Sequence, residues 1–190
     1  MSAARIFAAA FAALTLGAVA TAEVAVAETT APLNKNNKVP HHGRPLHYTR
    51  FPKIHNWDSL VITLSRGPCF GTCPVYDVSI HGDGSVTYNG IRFVGTTGEK
   101  HSQIARGDVK SLYAQFKRAD FFWLYDKYEG HITDLPYYRM SISYDGRKKE
   151  VVDYAGQMIG IPEVVVQLEH AVDRVSGADK LVIEGLKTGQ

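Results

Sequence analysis

Two cysteines, Cys69 and Cys73, stand in the segment Gly67-Pro68-Cys69-Phe70-Gly71-Thr72-Cys73-Pro74-Val75-Tyr76 and are the only two in this 190-residue chain. Thiols at this spacing can do three things. They can close a disulfide, which for so small a loop stabilises by about 2 kcal/mol through lost chain entropy in the unfolded state. Gly71 would allow the tight curvature, and Pro74 would fix the direction of the next segment. They can instead cycle as a redox pair or hold copper(I), chemistry that a helix N-terminus assists by lowering a thiol pKa. Val75 to His81 alternates as a strand, so that assistance is not expected. Finally, two cysteines are half of a tetrahedral zinc set, and no second pair exists. A structural bridge is the expectation, with a thiol redox or copper-handling protein using C-x-x-x-C-P as the alternative.

A second group of chemical residues lies in a Tyr-rich stretch between Tyr125 and Tyr138. Aromatic faces beside carboxylates can bind sugars or peptides, and a carboxylate pair could do acid–base work. The candidate ligand-binding residues are Tyr125, Tyr128, Glu129, His131, Asp134 and Tyr137, although Asp134 before Leu135-Pro136 also suits a turn cap. Four of the eight histidines, His41, His42, His47 and His55, fall in a polar tract that could capture a divalent ion; a solvated tether is the plainer reading, and no metal site is expected. The sequence has no G-x-S-x-G, H-E-x-x-H, S-x-x-K or P-loop. A binding or interaction module is therefore expected rather than an enzyme, and nothing calls for a cofactor.

The compartment is written at the N-terminus. Arg5 gives a positive start, and Ile6 to Ala20 is almost wholly apolar. Two small-x-small sites follow, Ala20-Thr21-Ala22 and Ala25-Val26-Ala27, completing a secretory signal over residues 1–27. The apolar run is shorter than the ~20 residues a spanning helix needs, and no later segment is long and apolar enough, so cleavage and export to the periplasm or medium are expected. Loss of Arg5 and Glu23 leaves the formal charge at +2. That near-neutral balance, with Arg147, Lys148 and Lys149 as its only tight basic cluster, argues against nucleic acid as a partner. The partner is an unknown small ligand or protein, and the oligomeric state is open.

Periodicity supplies the elements that must position these groups. Residues 28–56 carry no apolar period and read as a flexible linker. Leu60, Ile62 and Leu64, then Tyr76, Val78 and Ile80, then Val86 and Tyr88 alternate as strands. Asn89-Gly90 predicts a hairpin turn, a return over 91–95 and a further strand near 100–104. From Asp108, a plausible N-cap, Val109, Leu112, Tyr113, Phe116 and Ala119 share a helical face. Tyr138, Met140, Ile142 and Tyr144 alternate again, Asp145-Gly146 turns the chain, and Val151 to Tyr154 follows. Pro162 suits the first position of a helix with Val165, Leu168, Val172 and Val175 on its stripe, ended by Gly177. The expected fold is α+β, an antiparallel β-meander covered by two amphipathic helices in the order β-β-β-β(-β)-α-β-β-α. It forms one domain over 57–177, with 178–190 as a tail.

The residues Cys69, Phe70, Gly71, Cys73, Pro74 and Tyr76 make up a C-F-G-x-C-P-x-Y signature. On it the chain resembles a bacterial family of exported proteins of unknown function, domain of unknown function 6438. The likeness runs from about Leu60 to Val175, through Asp83-Gly84, Tyr88, Gly90, Phe122, Tyr128, Asp134 and Pro136. It implies a single exported module and brings no activity with it.

Overall fold

The computed structural model describes residues 51–184; the expected leader, most of the expected linker, and His41, His42 and His47 lie outside the described residues. Four strands come first: β1 (Val61–Arg66), β2 (Val75–His81), β3 (Ser85–Arg92) and β4 (Gly98–Gln103). Helix α1 (Arg106–Arg118) and a 3-10 turn at Phe121–Trp123 lead to β5 (Lys127–Glu129), β6 (Tyr137–Tyr144) and β7 (Arg147–Tyr154). The chain ends in α2 (Gly156–Ile159), α3 (Glu163–Ser176) and α4 (Ala178–Glu184). The seven strands form one sheet in the order β4-β3-β2-β1-β6-β7-β5.

This is the α+β class that the periodicity predicts, with two refinements. The sheet is not a simple meander, because β6 returns to pair with β1 at its centre. The short β5 then lies on the far edge of β7 and runs parallel to it, since one antiparallel strand separates them in sequence. Ile62 and Leu64 of β1, Val78 and Ile80 of β2, and Met140, Ile142 and Tyr144 of β6 are buried on one sheet face. Val109, Leu112, Tyr113 and Phe116 of α1 and Val165, Leu168 and Val172 of α3 are buried with them. A strand buries one side of its period-2 pattern and a helix one stripe, so this pairing removes both apolar faces from water.

Several boundaries move, each for a physical reason. Asn89-Gly90 is not the turn: both residues lie inside β3, and the chain reverses at 93–97, where Phe93 takes a φ of 55°. Gly90 is needed for space instead, because a Cβ there would collide with the Thr96 carbonyl and crowd the Tyr88 ring. Asp108 sits in the first turn of α1 with Ala105 at the N-cap; its charge favours the positive end of the helix dipole. Pro162 is the N-cap of α3 rather than its first residue, while Gly177 ends the helix with a φ of 76°. Arg147 to Lys149 belong to β7, and the turn itself is Asp145-Gly146, both with positive φ.

The packed unit also extends past both expected ends. Phe51 is buried, and the phenol hydroxyls of Tyr113 and Tyr144 both donate to the Pro52 carbonyl, at 3.1 and 2.8 Å. Asp145 accepts from the backbone N–H of His55 at 2.6 Å and of Asn56 at 3.1 Å. Residues 51–56 are thus held by hydrogen bonds that a composition-based linker reading misses. At the other end Ala178 is fully buried, and the N–H groups of Gly95 and Thr96 donate to the carbonyls of Val182 and Leu181, both at 2.9 Å. Helix α4 therefore straps the β3–β4 loop, where a tail was expected.

Candidate functional site

The register places one row of residues straight across the helix-facing side of the sheet. Gly90 pairs with Tyr76, Tyr76 with Arg66, Arg66 with Tyr138, Tyr138 with Asp153, and Asp153 with Tyr128. The adjoining row on this face, Val78, Leu64, Met140 and Val151, is apolar and buried; here the face carries a guanidinium, a carboxyl and three phenols. Helix α3 answers with Glu169 and Asp173, one turn apart on the same face as Val165 and Val172. Asp153, Glu169 and Asp173 retain only 5%, 3% and 6% of their surface.

Charge pairing within the cluster is uneven. Asp173 forms an ion pair with Arg66, whose Nη2 and Nε both donate to Oδ2, the latter at 3.1 Å, and its Oδ1 accepts from the Tyr76 hydroxyl at 2.8 Å. The Arg66 guanidinium also stacks on the Tyr138 ring, 4.4 Å from its centroid. Asp153 accepts from the Gly156 N–H through Oδ1 at 2.7 Å. Among the described residues Glu169 accepts no hydrogen bond and joins no ion pair. One cation therefore faces three carboxyls.

Ionisation follows from that imbalance. Burial pushes the Glu169 carboxyl up to about 8, reinforced by Asp153 and Asp173 and opposed by Arg66. Burial likewise raises Asp153, against the Gly156 N–H and Arg66. The Tyr76 and Tyr138 phenols are raised, again chiefly by burial. For Arg66 burial works against the charge, yet Asp173 together with the Tyr76 and Tyr138 phenols more than offsets it, so the guanidinium is raised and stays charged. These shifts follow the usual rule that burial disfavours the charged form unless an opposite charge stands close.

Two clefts open on this cluster and share Pro136 and Tyr138 as a common wall. One, of about 280 Å³, runs between the cysteine loop and α3 and is lined by Arg66, Cys73, Pro74, Tyr76, His170 and Asp173. The other, of about 260 Å³, lies over α2 and is lined by Leu135, Asp153, Gly156 and Met158. Cys69 and Cys73 stand at disulfide-bonding distance, with Cα atoms 5.7 Å apart, and close a loop whose tip, Phe70, is 87% exposed.

Of the six residues singled out in the Tyr-rich stretch, Tyr125 and Tyr128 are brought into contact. Tyr128 is buried, and its hydroxyl accepts from the Tyr125 N–H at 3.3 Å with the two rings edge to face at 5.7 Å. Glu129 pairs with Lys127 at 3.4 Å, and His131 is exposed. The Asp134 carbonyl accepts from the Phe70 N–H at 3.1 Å, which ties the stretch to the cysteine loop. Tyr137 lies over Gly67, where a Cβ would strike its ring. The buried cluster was missed because Arg66, Asp153, Glu169 and Asp173 each look ordinary alone. One signal was available: Glu169 and Asp173 fall on the apolar stripe of an amphipathic helix, where charge is costly unless used.

Fold and site together define a small α+β domain with a polar cluster set into the boundary between sheet and helix. The chain matches the model of a domain of unknown function, DUF6438, over residues 60–176, and it belongs to that family. No curated protein matches it. Among the described residues no helix is long and apolar enough to cross a membrane, and no group of three His, Cys, Asp or Glu could hold a metal ion.

Proposed function

We propose that this chain is exported through a cleaved leader at 1–27, to the periplasm or outside the cell, and acts there as a non-enzymatic binding module. Its ligand occupies the paired clefts on either side of Tyr138, and the Cys69–Cys73 bridge is a structural clamp on the wall of one of them. The observation that carries this reading is the buried polar row. Replacing buried ion pairs by apolar residues is often neutral or stabilising, so a buried charged row between sheet and helix points to a use other than stability. Concave sites with a few converging polar groups are the usual form of small-ligand pockets.

The test is a backbone amide NMR titration of the mature chain with small probes bearing ammonium, carboxylate or hydroxyl heads. Shifts gathered at residues 66, 73–76, 136–138, 153–158 and 169–173 are the expected result. Shifts confined to 125–134, or none with any probe, would remove the cleft assignment. For the bridge, intact mass of protein from the exported fraction should fall short of the reduced chain by two hydrogens and should read the cleavage site as well. The Cys69→Ser, Cys73→Ser double variant should lose about 2 kcal/mol in urea unfolding. Free thiols in the exported protein would instead favour thiol redox or copper handling.

A further inference from the structure

The outer surface of α1 carries a charge pattern that the buried polar row does not use. Arg106, Lys110 and Lys117 are exposed, and their spacings of four and seven residues set them along one stripe of the helix, about 16 Å long. Arg118 is exposed at the same end as Lys117, whereas Asp108, about 200° round the axis from Arg106, lies on the other flank. The segment before β1 packs along the basic flank. The Pro52 carbonyl accepts from the Tyr113 hydroxyl, and the Trp57 ring stands edge to face on Tyr113 at 5.2 Å, with the Lys110 ammonium 5.5 Å from its centroid. This brings the exposed Lys53 and the half-buried Trp57 to the stripe. Asp58, the acid of this segment, is taken up by Arg106 at 3.4 Å. Among the described residues Lys53, Lys110, Lys117 and Arg118 join no ion pair.

We propose that this stripe is the face by which the protein lies on an anionic lipid bilayer, with its lysines and arginines among the headgroups and the Trp57 ring at their inner boundary. Charge complementarity points to that occupant. The stretch that runs into the patch at Phe51, residues 28–50, carries Lys35, Lys38, Arg44 and Arg50 against one acid, Glu28. Charge outside the described residues thus has the same sign as the charge on α1. A near-neutral chain that gathers cations from separate segments on one side makes a local field that its overall balance hides. Each basic group near an anionic membrane surface strengthens attachment about fivefold. Trp57 favours lipid over a soluble polyanion, because an amphipathic ring collects where headgroups meet acyl chains. Nucleic acid fits less well, since a helix that reads a groove must enter it, and α1 has residues 51–57 packed along its basic flank. The proposal holds whatever occupies the clefts beside Tyr138.

Attachment of this kind has a signature in salt. Going from about 0.1 to 1 M shortens the screening length from ~10 to ~3 Å, so a bond made by exposed cations should vanish. Adsorption of apolar side chains would persist, because salt does not screen it.

The experiment sediments the mature chain with vesicles of phosphatidylcholine alone, or of equal parts phosphatidylcholine and phosphatidylglycerol, at low and high salt. Binding to the anionic vesicles, lost in high salt and absent with phosphatidylcholine alone, is the expected result. Lys110→Gln and Lys117→Gln, both at exposed positions and so no threat to folding, should each weaken it about fivefold. Together they should weaken it more than about tenfold. Lys127→Gln with Lys148→Gln removes the same charge from the sheet face turned away from the helices. That pair should leave binding within about twofold, since it lies beyond the screening length from α1. No binding to anionic vesicles at low salt, equal binding to both kinds of vesicle, or equal losses in the two pairs of variants would overturn the proposal. Retention by duplex DNA at a salt where vesicles are not bound would overturn it too, and would hand the stripe to nucleic acid.

Discussion

Arg66→Met should cost about 3–5 kcal/mol of stability, because removing one partner of a buried pair leaves the other charge uncompensated. The stranded group is Asp173, with 6% of its surface exposed, facing the Tyr76 hydroxyl with Glu169 one helical turn away. The guanidinium's contact with the Tyr138 ring is lost as well. In urea unfolding followed by tryptophan fluorescence, the midpoint should fall with little change in slope. Arg66→Met combined with Asp173→Leu should recover most of the loss, since swapping a whole buried pair for apolar groups is often neutral or better. If the double variant is as unstable as the single one, the cost lies in packing around Tyr138 and not in the orphaned charge.

Glu169→Gln should do the opposite at alkaline pH. An ordinary glutamate titrates near 4.5, whereas Glu169 titrates at about 8 in the folded chain. Below the lower value both states carry the proton and the residue is neutral in either. Between the two values the unfolded chain gives up its proton while the folded chain keeps it, so stability declines as pH rises. Above about 8 both are ionised and the loss is complete. At ~1.4 kcal/mol per pH unit the linkage sets a ceiling of several kcal/mol, and relaxation around the carboxylate reduces it. The expected gain for Glu169→Gln is ~2 kcal/mol at pH 8, shrinking toward zero near pH 5. A shallow slope of the same sign should survive in the variant, because burial raises Asp153 too. If Glu169→Gln tracks the unaltered protein at both pH values, the carboxyl is not held protonated by the fold. A residue whose replacement stabilises is one retained at a cost, as binding sites commonly are.

The strands at 61–66 and 75–81 and helix α3 were legible because one face of each is apolar at the right period. The Asn89-Gly90 dipeptide misled, because the same residue types serve a tight turn and a close approach between backbones. Only the neighbours of Gly90, the Thr96 carbonyl and the Tyr88 ring, decide between the two uses. Residues 51–56 carry too few apolar side chains to declare themselves, and their anchoring depends on Tyr113, Tyr144 and Asp145, which lie far along the chain. The cluster at Arg66 was hidden for a related reason. It is assembled by cross-strand register and by α3, and register is a property of the folded sheet that local spacing does not carry. The Tyr-rich stretch attracted notice by composition, yet tyrosine is as much a core residue as a contact residue, and Tyr128 is used in the first way.

The pairing of β1 with β6 has a consequence for the route by which the chain folds. Strands β1 to β4 are joined by short loops and can assemble from their own neighbours, but Thr63 meets Ser141 across 78 residues of chain. Contacts of that span are slow to form, since loop closure must be met before they contribute. Until β6 arrives, one side of the central strand β1 presents a bare row of amide and carbonyl groups to any other chain in reach. The centre of the finished sheet is thus its last seam to close, and synthesis order makes the final third of the protein the custodian of the first.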